Sequence, residues 1–582
     1  MSIFTFPEPA SYGKNVPEQQ TSVKQNAPRP ESVEGLTNTL LLADFALFKN
    51  EDDIRACASR SLERAQTIDD PKLRRIVVFS LSKILQNPKQ LAKFRAEHLK
   101  KISEHFEEVA FAAREGKRYE DALAAVQIAI RCDPENARAR LLFASLIEQE
   151  KAIRTLFYGL NFLDVESEIA PAYFNKYFQL LSDLQQDRLV AKQTLSLLSE
   201  KRLPDPVRVA IANYAAMSLY WIGNYENCLR ILEEQKIADT QQGMILKARS
   251  LFDLGKNKEA VDLLLGGVDS FPAEKRDAIL SQLSRFYQRL GDSAGALSIA
   301  HRRVAENPGA PSPYLQRLYL YNKFNDKDRF ASELASILET FPASQTALIT
   351  LANFAAEHGK SDLAKMCLQF AMENRYPPNV FAATVIESLV TADRPEEAIE
   401  TYIETTRGAP KLFSDMETAL SAILAAAYLK IADVPELASD KKEEMRNQAN
   451  ILVAQYLSDK TLTPENFISG TNLFRRIRGD DFALRVALAG EAAFPWHSQL
   501  RANAISLRIK LGKISAGDGF ASVQDEIRTL LNMRRPGPEI WREIALWLAT
   551  APNIPQSDID ELRHDVAPLV RSDLSADSFK EY

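Results

Sequence analysis

The residues best suited to chemistry in this 582-residue chain lie in short glycine-bearing stretches and among six scattered histidines. Gly291-Asp292-Ser293-Ala294-Gly295 spells the G-x-S-x-G pattern, in which a strained strand-to-helix turn presents serine as an acyl-transfer nucleophile. That chemistry needs a preceding strand, whereas LSQLSRFYQRL ahead of Gly291 has helical apolar spacing, and His301 follows too soon to serve as the base. Gly359-Lys360-Ser361 has the ending of a phosphate-cradling loop, yet Phe354 stands where that motif requires glycine. His98 and His105 fall on one predicted helix roughly 10 Å apart along its axis, too far to share a zinc ion. Arg478-Gly479-Asp480 spells an adhesion tripeptide but falls between two predicted helices. These stretches read as interhelical turns, and they predict no catalytic residue, no cofactor and no metal site.

Bulk properties narrow the classes further. A net charge of −6 and a pI near 5.8 argue against a general nucleic-acid binder. No apolar run approaches the roughly 18 residues of a membrane span, and MSIFTFPEPASYGKN lacks the basic start and apolar run of a secretory signal. Cys57, Cys132, Cys228 and Cys367 are scattered over helical stretches and are expected to be buried thiols of a reduced compartment. The expected location is cytoplasmic.

The elements that would position any site announce themselves by a repeat. Ala122 precedes Pro134 with eleven residues between them, and the same gap separates Ala260 from Pro272, Ala296 from Pro308, Phe330 from Pro342 and Ala398 from Pro410. Ala296, Phe330, Ala364 and Ala398 stand 34 residues apart, the period of a helix-turn-helix unit. Ahead of the anchors come Gly223-Asn224, Gly255-Lys256, Gly291-Asp292, Asn325-Asp326, Gly359-Lys360 and Asp393-Arg394. Glycine, asparagine and aspartate tolerate the left-handed backbone that a tight interhelical turn demands. Departures occur: Thr240 replaces proline after Cys228, Pro377 arrives one residue late after Ala364, and the large Phe330 should hold its helix pair apart.

Residues 104–136, EHFEEVAFAAREGKRYEDALAAVQIAIRCDPEN, resemble a tetratricopeptide repeat. Phe106, Val109, Ala110, Ala113, Ala122, Val126 and Pro134 meet the family's pattern of large, apolar, small and proline positions. Small Ala110 and Ala122 allow two helices to approach closely, and Pro134 is expected in the first turn of the next helix. The implied fold is all-α, a right-handed α-solenoid of stacked helix-turn-helix repeats. A Pro-, Gln- and Ser-rich arm is expected at 1–34, capping helices at 35–103, and the repeat array at 104–410, degenerate at 137–207. Ala191, after Gln186-Asp187, and Ala483 mark fainter repeats. Degenerate helical repeats follow at 411–535, with Ser439-Asp440-Lys441-Lys442-Glu443-Glu444 read as a charged linker. A cap with Trp541 and Trp547 is expected at 536–582.

The resemblance implies that first helices line a concave groove and that the residue eleven before each anchor points into it. These residues are Met217, Arg249, Arg285, Tyr319, Asn353 and Glu387, with Tyr220, Gln282, Gln316 and Lys323 as neighbours. Arginine's planar donors suit carboxylates, and asparagine can pair with an extended peptide. The expected function is a non-catalytic protein-binding scaffold whose partner is a protein or peptide with acidic residues opposite Arg249 and Arg285. The competing reading pairs these arginines with local acids such as Asp253 on an ordinary solvated face. Alternatives are a regulatory sensor or a subunit of a larger envelope or secretion assembly, with self-association along repeat edges left open.

Overall fold

The computed structural model describes residues 51–200, 203–408, 417–511 and 518–531, together with Met533, Arg534 and Ile544. The expected arm at 1–34, the helical start at Gly35, Pro410, Trp541 and Trp547 lie outside the described residues. Among the described residues every regular element is helical. The chain divides into two compact units between Ala215 and Ala216. In the first lie α1 (Glu51–Ala65), α2 (Pro71–Gln86), α3 (Leu91–Glu115), α4 (Tyr119–Cys132), α5 (Ala137–Ala144), α6 (Gln149–Gly159), α7 (Ala170–Asp183) and α8 (Asp187–Leu198); α9 (Asp205–Trp221) runs through the division. The second unit continues with α10 (Tyr225–Glu234), α11 (Gln241–Asp253), α12 (Asn257–Gly267), α13 (Ala273–Arg289), α14 (Ser293–Glu306), α15 (Pro311–Lys323), α16 (Lys327–Thr340), α17 (Gln345–Glu357) and α18 (Ser361–Glu373). It ends with α19 (Pro378–Thr391), α20 (Pro395–Gly408), α21 (Glu417–Ala432), α22 (Ser439–Ser458), α23 (Pro464–Arg476), α24 (Asp480–Ala493), α25 (Ser498–Lys510) and α26 (Asp518–Leu531). Sequential helices pack as pairs, a tetratricopeptide-like arrangement.

The turns inside the pairs carry the repeat. Gly223, Gly255, Gly291, Asn325, Gly359 and Asp393 all have φ between 57° and 79°. The next residue's N–H donates to the carbonyl five positions back, as Asn224 does to Leu219 (2.8 Å), Lys256 to Leu251 (2.9 Å) and Lys360 to Ala355 (2.8 Å). This is a Schellman closure, which satisfies carbonyls that a helix end otherwise leaves bare. Lys117, Gln185 and Arg478 adopt the same backbone without being glycine, asparagine or aspartate. Five residues beyond each left-handed residue sits a buried or part-buried anchor, among them Ala122, Cys228, Ala260, Ala296, Ala364, Ala398 and Ala483, all buried. Gln185 moves the faint repeat by one residue: its anchor is the fully buried Val190, not Ala191.

Three local expectations are corrected. Pro134 does not enter the next helix; it occupies the second place of a four-residue turn closed by the Asn136 N–H donating to Asp133 (3.1 Å). Pro308, Pro342 and Pro495 do the same, their turns closed from Ala310, Ser344 and His497. Proline's fixed φ suits that place as well as a first helical turn. The charged run Ser439–Glu444 is no linker but the start of α22, because Lys and Glu are good helix formers on an exposed face. Val109 is 37% exposed and adds nothing to the core of its repeat, while Ala110, Ala113, Ala122 and Val126 are buried.

The core is a series of clusters. Between Tyr314 and Leu507 one continuous apolar cluster links α15 to α25, and a separate one holds Met244, Phe252, Ile279 and Phe286 of α11 to α14. At 137–207, where the period blurs, the buried rings of Tyr173, Phe174, Tyr177 and Phe178 on α7 replace the small-residue contact. No helix among the described residues is long and apolar enough to cross a membrane.

Candidate partner-binding face

The ten residues expected to line a groove fall on α9, α11, α13, α15, α17 and α19, the first helices of successive pairs. Half of them are held by internal hydrogen bonds. The Tyr220 hydroxyl donates to Asp253 Oδ2 (2.9 Å), and Arg289 Nη1 donates to Asp253 Oδ1 (3.1 Å). Burial and the adjacent Asp253 carboxylate both push the Tyr220 phenol up. Arg249 Nε donates to Gln282 Oε1 (2.8 Å), and Gln282 is itself buried. Gln316 accepts from Arg303, a 3% exposed guanidinium that also grips Asp277 through Nε (2.9 Å) and Nη2 (2.7 Å). Glu387 pairs with Arg476.

Arg285, Tyr319, Lys323 and Asn353 differ. All four are exposed, Tyr319 by 43%, and none has a hydrogen bond or ion pair among the described residues. Met217 is half-buried. Asp253 therefore answers Tyr220 and Arg289 rather than the two candidate arginines, and the free cations on this row are Arg285 and Lys323. Asp253 and Arg289 each precede a left-handed glycine by two residues, so their pairing was available from register. The guanidinium of Arg289 lies 4.5 Å from the Phe252 ring, which stacks on Phe286 at 4.2 Å. Nothing in the spacing announced the Arg303–Asp277 pair, which joins two helices of one hairpin through side chains only.

The glycine-bearing motifs begin in interhelical turns and run into the next helix, and the histidines of the sequence motifs lie on helices. Asp292 caps α14 by accepting the Gly295 N–H (2.8 Å), and Ser293 is the first residue of that helix. His301 faces Arg317 (Nδ1, 3.0 Å) and Tyr321 (Nε2, 3.4 Å); burial, then Arg317 and Arg329, hold its imidazole below the usual range. Ser361 begins α19's predecessor α18 and accepts from Arg394 Nη1 (3.2 Å). His105 Nε2 pairs with Asp70 Oδ2 (2.8 Å), while His98 is buried elsewhere on α3. No group of three His, Cys, Asp or Glu that could hold a metal occurs among the described residues.

An open groove of about 1240 Å³ lies in the first unit along α3, the α4–α5 turn and the segment after α6. Glu97, Glu104, Glu108, Glu135 and Asp164 line it over Leu99, Phe162 and Ile169. Its charge repels carboxylates, so an acidic partner is disfavoured there.

No family model and no curated protein matches this chain. Solved structures similar to it include yeast Tom70, at 14% identity and a TM-score of 0.31 over 86% of this chain and 97% of that one. The structure of Naa15/Naa10 bound to HypK-THB is similar at 14% identity and a TM-score of 0.27, over 90% of this chain and 78% of that one. The hetero-tetramer Cut9-Hcn1 is similar at 11% identity and a TM-score of 0.24, over 81% and 96%.

Proposed function

We propose that this chain is a non-catalytic scaffold whose first-helix face in the second unit binds a protein segment bearing acidic residues. The observation that carries this reading is the contrast within one row. Tyr220, Arg249, Gln282, Gln316 and Glu387 are satisfied internally, whereas Arg285, Tyr319, Lys323 and Asn353 are exposed and unpartnered on three successive first helices. Two cations, a phenol and an amide suit a carboxylate-bearing extended segment: the cations set the charge, the ring offers rigid contact area and the amide can meet a peptide group.

Affinity capture from native lysate tests the reading, comparing wild type with Arg285→Glu/Lys323→Glu. A partner lost by the folded double variant supports it, and identical partner sets overturn it. Arg249→Glu is the poorer probe, since it also breaks the Gln282 bond.

A further inference from the structure

Arg476 closes α23, two residues before Arg478, whose φ is 61°. Lys323 stands two residues before Asn325, whose φ is 57°. Register thus gives Arg476 the place in its own pair that Lys323 has on the candidate face. Unlike Lys323, it is occupied. Its guanidinium pairs with the Glu387 carboxylate on α19, 89 residues away in sequence, and Nη1 approaches the Ala356 carbonyl near the end of α17 at 3.5 Å. One side chain therefore ties α17, α19 and α23 together. The pair is not sealed: the two side chains are 28% and 22% exposed. With water reaching both groups their attraction is partly screened, so a second carboxylate can compete for the guanidinium.

We propose that Arg476 is a carboxylate-anchoring residue of the binding face and that Glu387 is its internal placeholder. An acidic partner segment takes the guanidinium fork while Glu387 turns to solvent. Arginine's planar donors accept either carboxylate in the same two-point geometry, so the exchange needs no new site to form. The placeholder also filters. A ligand must outcompete a tethered carboxylate at high effective concentration, which a segment with several clustered acids does better than one with a single acid. Glu387, counted among the groove residues by spacing, thus masks the site rather than contacting the ligand.

This inference rests on the proposed acidic-partner reading. The test uses the full chain and a fluorescent oligoglutamate peptide, titrated by anisotropy at low salt. Glu387→Gln frees Arg476 and should tighten binding about tenfold, the size of a charge-assisted hydrogen bond regained. Arg476→Gln should weaken it by about the same factor, Arg476→Lys by less, and the double variant should behave as Arg476→Gln alone. Unchanged or weaker binding by Glu387→Gln, or a gain that persists in the double variant, overturns the exchange. If wild type binds and Arg285→Gln weakens it while the Arg476 and Glu387 variants have no effect, the face stands and the exchange falls. Absence of peptide binding by every variant overturns both.

Discussion

Cys132, Cys228 and Cys367 are buried, and burial pushes their thiols up to about 12, 11 and 12. Since the thiolate is the reactive form, iodoacetamide at about pH 8 should leave all three unlabelled in the native protein and label them in denaturant. Native labelling of Cys228 would contradict its placement. Burial also raises the phenols of Tyr173, Tyr177 and Tyr456, whose hydroxyls donate to Leu156, Gln193 and Asn466. Below the ordinary phenol value of about 10 both folded and unfolded states keep these protons, and the stability is fully present. Above it the unfolded state releases protons that the folded state retains, so stability falls as pH rises. Urea midpoints should therefore drop between about pH 9 and pH 11. At this scale the sequence was only half legible. Spacing picked out Arg285 and Lys323, but it could not show that Gln282 holds Arg249, or that Arg476 reaches Glu387 across 89 residues. Such pairs depend on how helices stack, and periodicity carries no information about that.

The turns make the strongest predictions for the elements. Gly291 has φ +75° and no atom near the Cβ that alanine would add, so Gly291→Ala should cost only the left-handed strain, about 1–2 kcal/mol. Gly359→Ala should cost more: at φ +62° its added Cβ would lie 2.9 Å from the backbone nitrogen of Ala392, beside the next turn. Thermal unfolding of the two variants ranks them, and equal losses would refute the close approach. Lys117 holds φ 57° without glycine's freedom, so Lys117→Gly should stabilise the protein by up to about 1 kcal/mol. The six turns bearing Gly, Asn or Asp were readable because those residues advertise the backbone they adopt. The turns at Lys117, Gln185 and Arg478 close with the same backbone hydrogen bond, from Arg118 to Ala113 (2.8 Å), Gln186 to Leu181 (3.0 Å) and Gly479 to Phe474 (2.9 Å), but their side chains do not advertise the left-handed backbone. Pro134 was found by spacing yet misplaced, because a fixed φ fits an interhelical turn as readily as a helix start.

For the molecule as a whole, separate apolar clusters imply that stability is local. Phe252→Ala removes a ring stacked at 4.2 Å on Phe286 and should cost about 3–5 kcal/mol. Hydrogen exchange should accelerate in α11 to α14, while α17 to α25, within the cluster from Tyr314 to Leu507, stay protected. Uniform acceleration would show instead that the second unit opens as one. The spacing of the left-handed residues has a consequence for how this chain can change in length. Gly291, Asn325, Gly359 and Asp393 are each 34 residues from the next. Excising 292–325 would splice Gly291 to Asp326, and Asp326 caps its helix through the Arg329 N–H as Asp292 caps through Gly295. The junction would read like the original one. Upstream the intervals are 32 and then 36, the longer one containing the single-turn 3-10 helix Val268–Ser270, so two neighbouring deviations cancel over two periods. In this stretch a gene could gain or lose whole modules without a seam, whereas an indel inside a helix would turn the residues beyond it off that helix's apolar face.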